Sequence, residues 1–204
     1  MNRIAVLAFV GLSGVSSAQL VNPGLNMLPG ETFRTVLGGQ TYNGWTNPGG
    51  PDIEFVSSSI WQTHEGDGAI DLNGVSGPGR LEQTFATTAG TTYIVDFWYS
   101  GNNGNGTRLG EKSFNVLWDG GQAQGFVFTH QSTDTWSNMR WTQGTATFVA
   151  TGSTSTLTFQ GTNTQYGDAG AAIDDVTLTA VPEPATLSAL GIFVAAALRR
   201  SKKR

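Results

Sequence analysis

Between about residue 30 and residue 180, apolar and polar residues alternate in short runs. In Thr92–Tyr99, Tyr93, Val95, Phe97 and Tyr99 fall on one face while Trp98 falls on the other, the two-residue period of a β-strand. In Gly79–Phe85, Leu81 and Phe85 share a face in the same way. The same reading predicts strands at Thr32–Leu37, Ile53–Ser57, Ala69–Leu72, Ser113–Trp118, Gly125–Thr129, Gly144–Ala150, Thr154–Gln160 and Ala171–Thr179. Turn residues punctuate them at Pro48-Gly49-Gly50-Pro51, Gly77-Pro78-Gly79, Asp119-Gly120-Gly121 and Gly152-Ser153. No long stretch here carries the 3.6-residue period of a helix. About ten short strands with this spacing predict an all-β fold, an antiparallel β-sandwich.

The two ends follow a different pattern. At the N-terminus, Arg3 precedes an apolar run from Ile4 to Leu12, and Ser16-Ser17-Ala18 supplies small residues, which together predict a signal peptide cut by signal peptidase after Ala18. At the C-terminus, Pro182-Glu183-Pro184 is followed by an apolar run from Leu187 to Leu198 and then by Arg199, Arg200, Lys202, Lys203 and Arg204. Proline fixes its own φ and pushes its predecessor out of the helical region, so the Pro-Glu-Pro stretch is extended. The apolar run favours lipid and the cations resist translocation. A helix of about 12 residues is only about 18 Å long, against a hydrocarbon core of about 30 Å. That length predicts transient insertion into the inner membrane rather than a durable anchor; an ordinary short single-pass anchor is the alternative. The chain thus divides into a signal peptide at 1–18, a domain at 19–180 and a sorting segment at 181–204.

Removing the ends changes the charge balance. The whole chain has a formal net charge of −4, with 11 basic and 15 acidic residues. The domain keeps only Arg34, Arg80, Arg108, Lys112 and Arg140 against all the acidic residues except Glu183, so its net charge is near −9. Such an acidic domain excludes nucleic acid and anionic lipid headgroups as partners. There are no cysteines, so disulfides, thiolate metal sites and cysteine nucleophiles are excluded as well.

The tail, Val181-Pro-Glu-Pro-Ala-Thr186 with the short apolar run and the Arg-rich end, resembles the PEP-CTERM sorting signal of Gram-negative bacteria. The resemblance implies recognition by an exosortase, loss of the tail on export, and a place at the cell surface or in an exopolysaccharide or biofilm matrix. A second resemblance covers nearly the whole domain. Its blocks include Gly44-Trp45-Thr46, Ile53-Glu54-Phe55-Val56, Gly68-Ala69-Ile70-Asp71-Leu72-Asn73-Gly74, Leu81-Glu82-Gln83-Thr84-Phe85 and Ala172-Ile173-Asp174-Asp175-Val176. In this order they are similar to the choice-of-anchor C proteins, relatives of galactose-binding-like, plant cell-wall domains of unknown function. That likeness implies a jelly-roll sandwich, often with structural calcium, and association with polysaccharide rather than catalysis.

Alternation places Asp174 on the face of Val176 and Leu178, a core-facing position where a lone charge is costly. Calcium, a hard cation taking six to eight oxygens, is a natural partner. The likeness implies that this strand meets the N-terminal segment Asn22-Pro23-Gly24-Leu25-Asn26, so that Asp174 and Asn26 are the expected calcium ligands. The alternative is Asp174 capping backbone amides. Among the six tryptophans, Trp45 reads as a core plug. Trp61 and Trp136 lie in polar surroundings and are the expected sugar-stacking platforms. His64, Glu65 and Asp67 read as a solvated turn, and Gly101–Thr107 as a flexible surface loop. No Ser/His/Asp order supports a hydrolase. Glu54, Asp71 and Asp96 are available for glycoside cleavage, but their spacing selects none of them. The reading that follows is an exported, non-catalytic sandwich that binds polysaccharide. A structural or adhesive matrix protein without specific glycan binding is the second reading, and a glycan-active enzyme the third.

Overall fold

A computed structural model describes residues 19–181. The expected signal-peptide cut after Ala18 and the expected sorting residues Pro182, Glu183, Pro184, Arg199 and Arg200, with the apolar segment 187–198, lie outside the described residues. Among the described residues, no helix is long and apolar enough to cross a membrane.

The strands are β1 (Phe33–Val36), β2 (Thr41–Tyr42), β3 (Trp45–Thr46), β4 (Ile53–Ser57), β5 (Gly68–Asp71), β6 (Asn73–Gly74), β7 (Gly77–Pro78), β8 (Arg80–Ala86), β9 (Thr92–Gly101), β10 (Glu111–Trp118), β11 (Gln122–Thr129), β12 (Thr142–Val149), β13 (Thr154–Gly161) and β14 (Ala171–Val181). They form a six-stranded sheet A in the order β1-β4-β5-β14-β9-β12, a six-stranded sheet B in the order β11-β10-β13-β8-β3-β2, and a small β6-β7 ribbon. All pairings are antiparallel. From β8 onward the chain alternates between sheets, with β10 and β11 the one consecutive pair in sheet B, which gives a sandwich of jelly-roll type. The predicted strands are all present, and the two-residue strands β2, β3, β6 and β7 were too short to show a period.

Turn chemistry sets several of these pairings. Asn43 and Gly44, both at positive φ (44° and 91°), join β2 to β3, the conformation that an Asn-Gly hairpin favours. At Gly44 a side chain would also collide with Val21, whose Cγ1 lies 2.5 Å from an ideal Cβ. Asp119 and Gly120, again at positive φ, turn β10 into β11.

The core between the sheets is aromatic. Phe97 of β9 meets Phe114, Phe126 and Phe159 edge-on, with centroids 5.0–5.9 Å apart. Trp118 of β10 lies 5.4 Å from each of Phe85, Tyr93 and Phe148. Trp45 is fully buried, as expected of a plug, and its indole N–H donates to the Asn22 carbonyl at 2.9 Å. Such offset and edge-on pairs add to the apolar area removed from water. At one side of the sandwich, side chains of β11 cover the C-terminal part of the free edge of β12. Gln122 donates to the Val149 carbonyl at 3.0 Å and accepts from its N–H at 3.3 Å, and Gln124 donates to the Thr147 carbonyl at 3.0 Å.

One end of the sandwich is charged inside. Lys112 is fully buried, donates to the Ala169 carbonyl at 2.9 Å and sits 4.4 Å from the Tyr166 ring centroid. Asp71 is also fully buried and accepts from the amides of Asn73 and Gly170 and from the side chain of Asn102. Burial lowers Lys112 to about 8 and raises Asp71 to about 7. Burial, together with the charge of Asp71, raises Glu54, its register partner on β4, to about 7. The loop Gly101–Thr107, expected to be flexible, is anchored at its base. Asn102 and Asn103 are buried, and His130 brings one ring nitrogen 3.1 Å from the Gly101 carbonyl and the other 2.8 Å from the Gly110 carbonyl. Only Asn105–Thr107 are exposed.

Strand β14 departs from regular alternation. Its register against β9 shifts between Asp174 and Thr177, and Asp175 has φ 47°. The bulge corrects the expected facing of Asp174. Ile173 and Val176 both point into the core, and Asp174 lies with Ala172 on the outer face of sheet A rather than with Val176 and Leu178.

Two outcomes follow. Glu54, Asp71 and Asp174, each raised to about 7, hold protons more tightly folded than unfolded. Their stabilisation is full below the ordinary carboxylate range and is lost as pH rises through 7. Thermal melts should therefore fall by several degrees from pH 5 to pH 8, and Glu54→Gln should remove roughly a third of that slope, being one of three such groups. A midpoint that is flat or rises over this interval contradicts the assignment. At the bulge, Asp175→Val should be less stable than Asp175→Gly by about 1–2 kcal/mol, because a β-branched residue resists positive φ; equal denaturant midpoints would remove the strain.

Candidate functional site

The outer face of sheet A is laid out by register. Val56 stands opposite Ala69 and Glu54 opposite Asp71 on β4 and β5; Ala172 and Asp174 follow on β14, then Ser100, Trp98 and Asp96 on β9, and Gln143 and Thr145 on β12. Two loops fold over one part of this face. Residues 58–67, between β4 and β5, and 130–141, between β11 and β12, close a second, smaller core of Val56, Trp61, Ala69, Met139 and Ala172, with Ile60, Trp136 and Trp141 packed against it.

This packing corrects the expectation for Trp61. The side chain is only 2% exposed, because the chain turns back at Ser57, whose carbonyl accepts the amides of Ile60 and Trp61 at 2.9 and 3.1 Å. It is therefore no platform for a sugar. Trp136 is half-buried and spends its indole N–H on Asn102 Oδ1 at 3.3 Å. Trp98 and Trp141 are likewise half-buried on this face. Trp98 was visible in the sequence as the odd residue on the polar side of β9. What no local pattern shows is that the loop at 58–67 returns to lie beside it.

Asp174 secures that return. Its carboxylate is fully buried and accepts from the amides of His64 (2.7 Å), Glu65 (3.2 Å) and Asp175 (2.7 Å). Burial raises its pKa to about 7, although the three amides favour the charged form. Farther along the loop, Asn26 Oδ1 accepts from the Asp67 amide at 3.0 Å, and Asp67 Oδ1 accepts from the Met27 amide at 3.1 Å. Asp174 and Asn26 thus hold different stretches of one loop through backbone N–H groups. The N-terminal segment does meet the last strand, where the Val176 amide donates to the Pro23 carbonyl at 2.8 Å. This set of donors aimed at the oxygens does not fit a calcium cage. Among the described residues, no group of three or more His, Asp or Glu side chains is placed to hold a metal.

On this support stands a shelf. His64 stacks on Trp98 with centroids 3.9 Å apart and planes 13° from parallel. Its Nδ1 lies 3.4 Å from Asp175 Oδ2. Gln62 ties the two loops together: its amide donates to the Trp136 carbonyl at 2.6 Å, its side-chain oxygen accepts from the Met139 amide at 2.9 Å, and its carbonyl accepts the indole N–H of Trp141 at 2.8 Å. Gln143 lies opposite Trp98 in the register, and next along the face Thr145 donates to Asp96 Oδ1 at 2.5 Å. Half-exposed indole and imidazole rings beside amide, hydroxyl and carboxylate groups can offer apolar contact and hydrogen bonds to one ligand. Hydrolytic chemistry has no such support. Glu54 and Asp71 do face each other across β4 and β5, but Asp71 is fully buried with its oxygens engaged, and Asp96 lies apart, bonded to Thr145.

Comparison with known proteins finds halomucin of Haloquadratum walsbyi (strain DSM 16790 / HBSQ001), 28% identical over 199 residues. The match covers 94% of this chain and only 2% of that protein's length. Among solved structures, TmCBM61 in complex with β-1,4-galactotriose superposes with a TM-score of 0.47 at 19% identity, over 79% of this chain and 97% of that one. A CBM4 structure gives a TM-score of 0.41 at 13% identity, covering 79% and 99% of the two chains. A family 35 carbohydrate-binding module from Clostridium thermocellum gives 0.40 at 15%, covering 71% and 91%. The family model described as "Protein of unknown function (DUF642)" matches residues 22–179, nearly all of the described sandwich, and the chain belongs to the DUF642 family.

Proposed function

We propose that this sandwich is a non-catalytic polysaccharide-binding module of the galactose-binding-like kind that acts outside the cell. The observation that carries the reading is the shelf: the stacked Trp98 and His64, with Trp141 beside them, on a sheet face otherwise made of amide, hydroxyl and carboxylate groups. Pyranose rings present flat C–H surfaces edged with hydroxyls, and half-exposed aromatic rings flanked by polar groups suit both parts. The engaged oxygens of the buried Asp71 favour binding over bond cleavage. The reading needs no calcium, since Asp174 is satisfied by amides. From the sequence comes the setting: a signal peptide cut after Ala18, a choice-of-anchor C-like domain, and a PEP-CTERM-like tail handed to an exosortase, which would leave the domain at the surface or in the surrounding matrix.

Two measurements test this. The purified protein should be retarded in gels containing polysaccharide, and Trp98→Ala should weaken that binding at least about tenfold, equivalent to about 1.4 kcal/mol, without a matching loss of melting temperature. Unchanged binding in Trp98→Ala would remove the shelf from the reading. Terminal peptide mapping of the protein recovered from the surface of the producing cell should begin at Gln19 and end near Pro182–Pro184. Recovery of an intact C-terminal Arg204 in the mature protein would count against exosortase processing.

A further inference from the structure

The shelf has a charge pattern that narrows its ligand, and we infer that it takes a neutral polysaccharide and rejects uronate-bearing or sulfated ones. This inference rests on the proposed function. Acidic glycans are ordinarily held by arginine or lysine, whose donors match carboxylate and sulfate. The described domain has five such residues, Arg34, Arg80, Arg108, Lys112 and Arg140, and none is available on this face. Arg140 follows the bulk of the loop but turns away. It donates to both oxygens of Asp134 at 2.9 Å and to the Thr129 carbonyl at 2.6 Å, with its guanidinium 4.7 Å from the Phe128 ring. Arg108 pairs with Asp168 at 3.2 and 3.3 Å. Lys112 is buried against Ala169 and Tyr166. Arg34 lies over Tyr42, and Arg80 lines a separate cleft of about 310 Å³ with Pro51, Pro78 and Gln160.

The charges that do face the shelf are negative. Glu65 is exposed, Asp175 is partly exposed, and Asp96 stands on β9 two residues from Trp98. His64 is the one group there that can become cationic, and Asp175 is already beside it. A polyanion lying across Trp98 would bring its charges within a screening length of about 8 Å of these carboxylates, with no cation to offset them. Neutral sugars meet no such opposition. Their hydroxyls can donate to the carboxylates and exchange bonds with Gln143, while their C–H faces cover the exposed parts of the indoles.

Binding of the purified protein to a neutral panel (galactan, mannan, xylan, β-glucan) and an acidic panel (polygalacturonate, alginate) tests this in low and in high salt. The expected result is binding to at least one neutral polymer, little changed by salt, lost about tenfold in Trp98→Ala, and not competed by the acidic polymers. The double variant Glu65→Gln/Asp175→Asn should gain binding to an acidic polymer relative to the wild-type protein. Salt-sensitive binding of polygalacturonate or alginate that is lost in Trp98→Ala would overturn the inference while leaving the shelf as a glycan site. Acidic binding lost in Arg80→Ala and kept in Trp98→Ala, with no neutral polymer bound, would overturn it and move glycan recognition to the other cleft. Failure of every polymer to bind would overturn the proposed function itself, and this inference with it.

Discussion

A single buried carboxylate orders the outer half of the molecule. Asp174 sits on the central strand of sheet A and accepts three backbone amides, two of them from a loop more than a hundred residues earlier in the chain. Removing those amides from a buried acceptor, or the acceptor from buried amides, exposes the full cost of an unmade hydrogen bond. The loop at 58–67 therefore lies down on the sheet. Once it does, Trp61 is buried, Gln62 reaches the loop at 130–141, and His64 meets Trp98. The bulge at Asp175 is what allows this. It lets Ile173 and Val176 both face the core while Asp174 stays outside with Ala172; strict alternation would turn either Asp174 inward or Val176 outward.

Sheet A thus serves two interiors. Its inner face packs Tyr93, Val95, Phe97 and Ile173 against the aromatic residues of sheet B, and its outer face carries the satellite cluster around Trp61 and Met139. The second interior is small, and its stability depends on polar knots at its margins rather than on area. Gln62 supplies three of them. At the neighbouring end of the sandwich, the buried Lys112, Asp71 and Asn102 form another polar interior, with His130 bridging the two ends of the Gly101–Gly110 loop. Side chains that the sequence presents as ordinary loop polarity here act as ties between loops.

The strands were legible because a half-buried strand writes its period into the sequence. Tyr93, Val95 and Phe97 announce the inner face of β9, and Trp98 announces that the other face is not simply solvent. Trp45 was legible as a plug because it follows an Asn-Gly turn that can only swing it inward. The site was less legible. A bulge adds one residue without a distinctive composition, so nothing around Asp174-Asp175 marks the change of face. Trp61 sits among polar neighbours, and its burial depends on residues of β5, β14 and the loop at 139 that are remote in sequence. The contact between His64 and Trp98 depends on the same tertiary return, and so does the anchoring of Asn102, whose partner Asp71 lies on another strand. In each case the missing information was which loop covers which face, a property of the assembled sheets and not of any local pattern.

The glutamine side chains that cover β12 have a consequence for how copies of this domain can meet. A bare strand edge is a template: its open N–H and C=O groups accept any extended chain. Here the Val149 amide and the Val149 and Thr147 carbonyls are already occupied by Gln122 and Gln124 from the opposite sheet. Over that stretch the domain carries its own selvedge, a finished border where a neighbouring molecule finds no loose thread to pull into a growing ribbon.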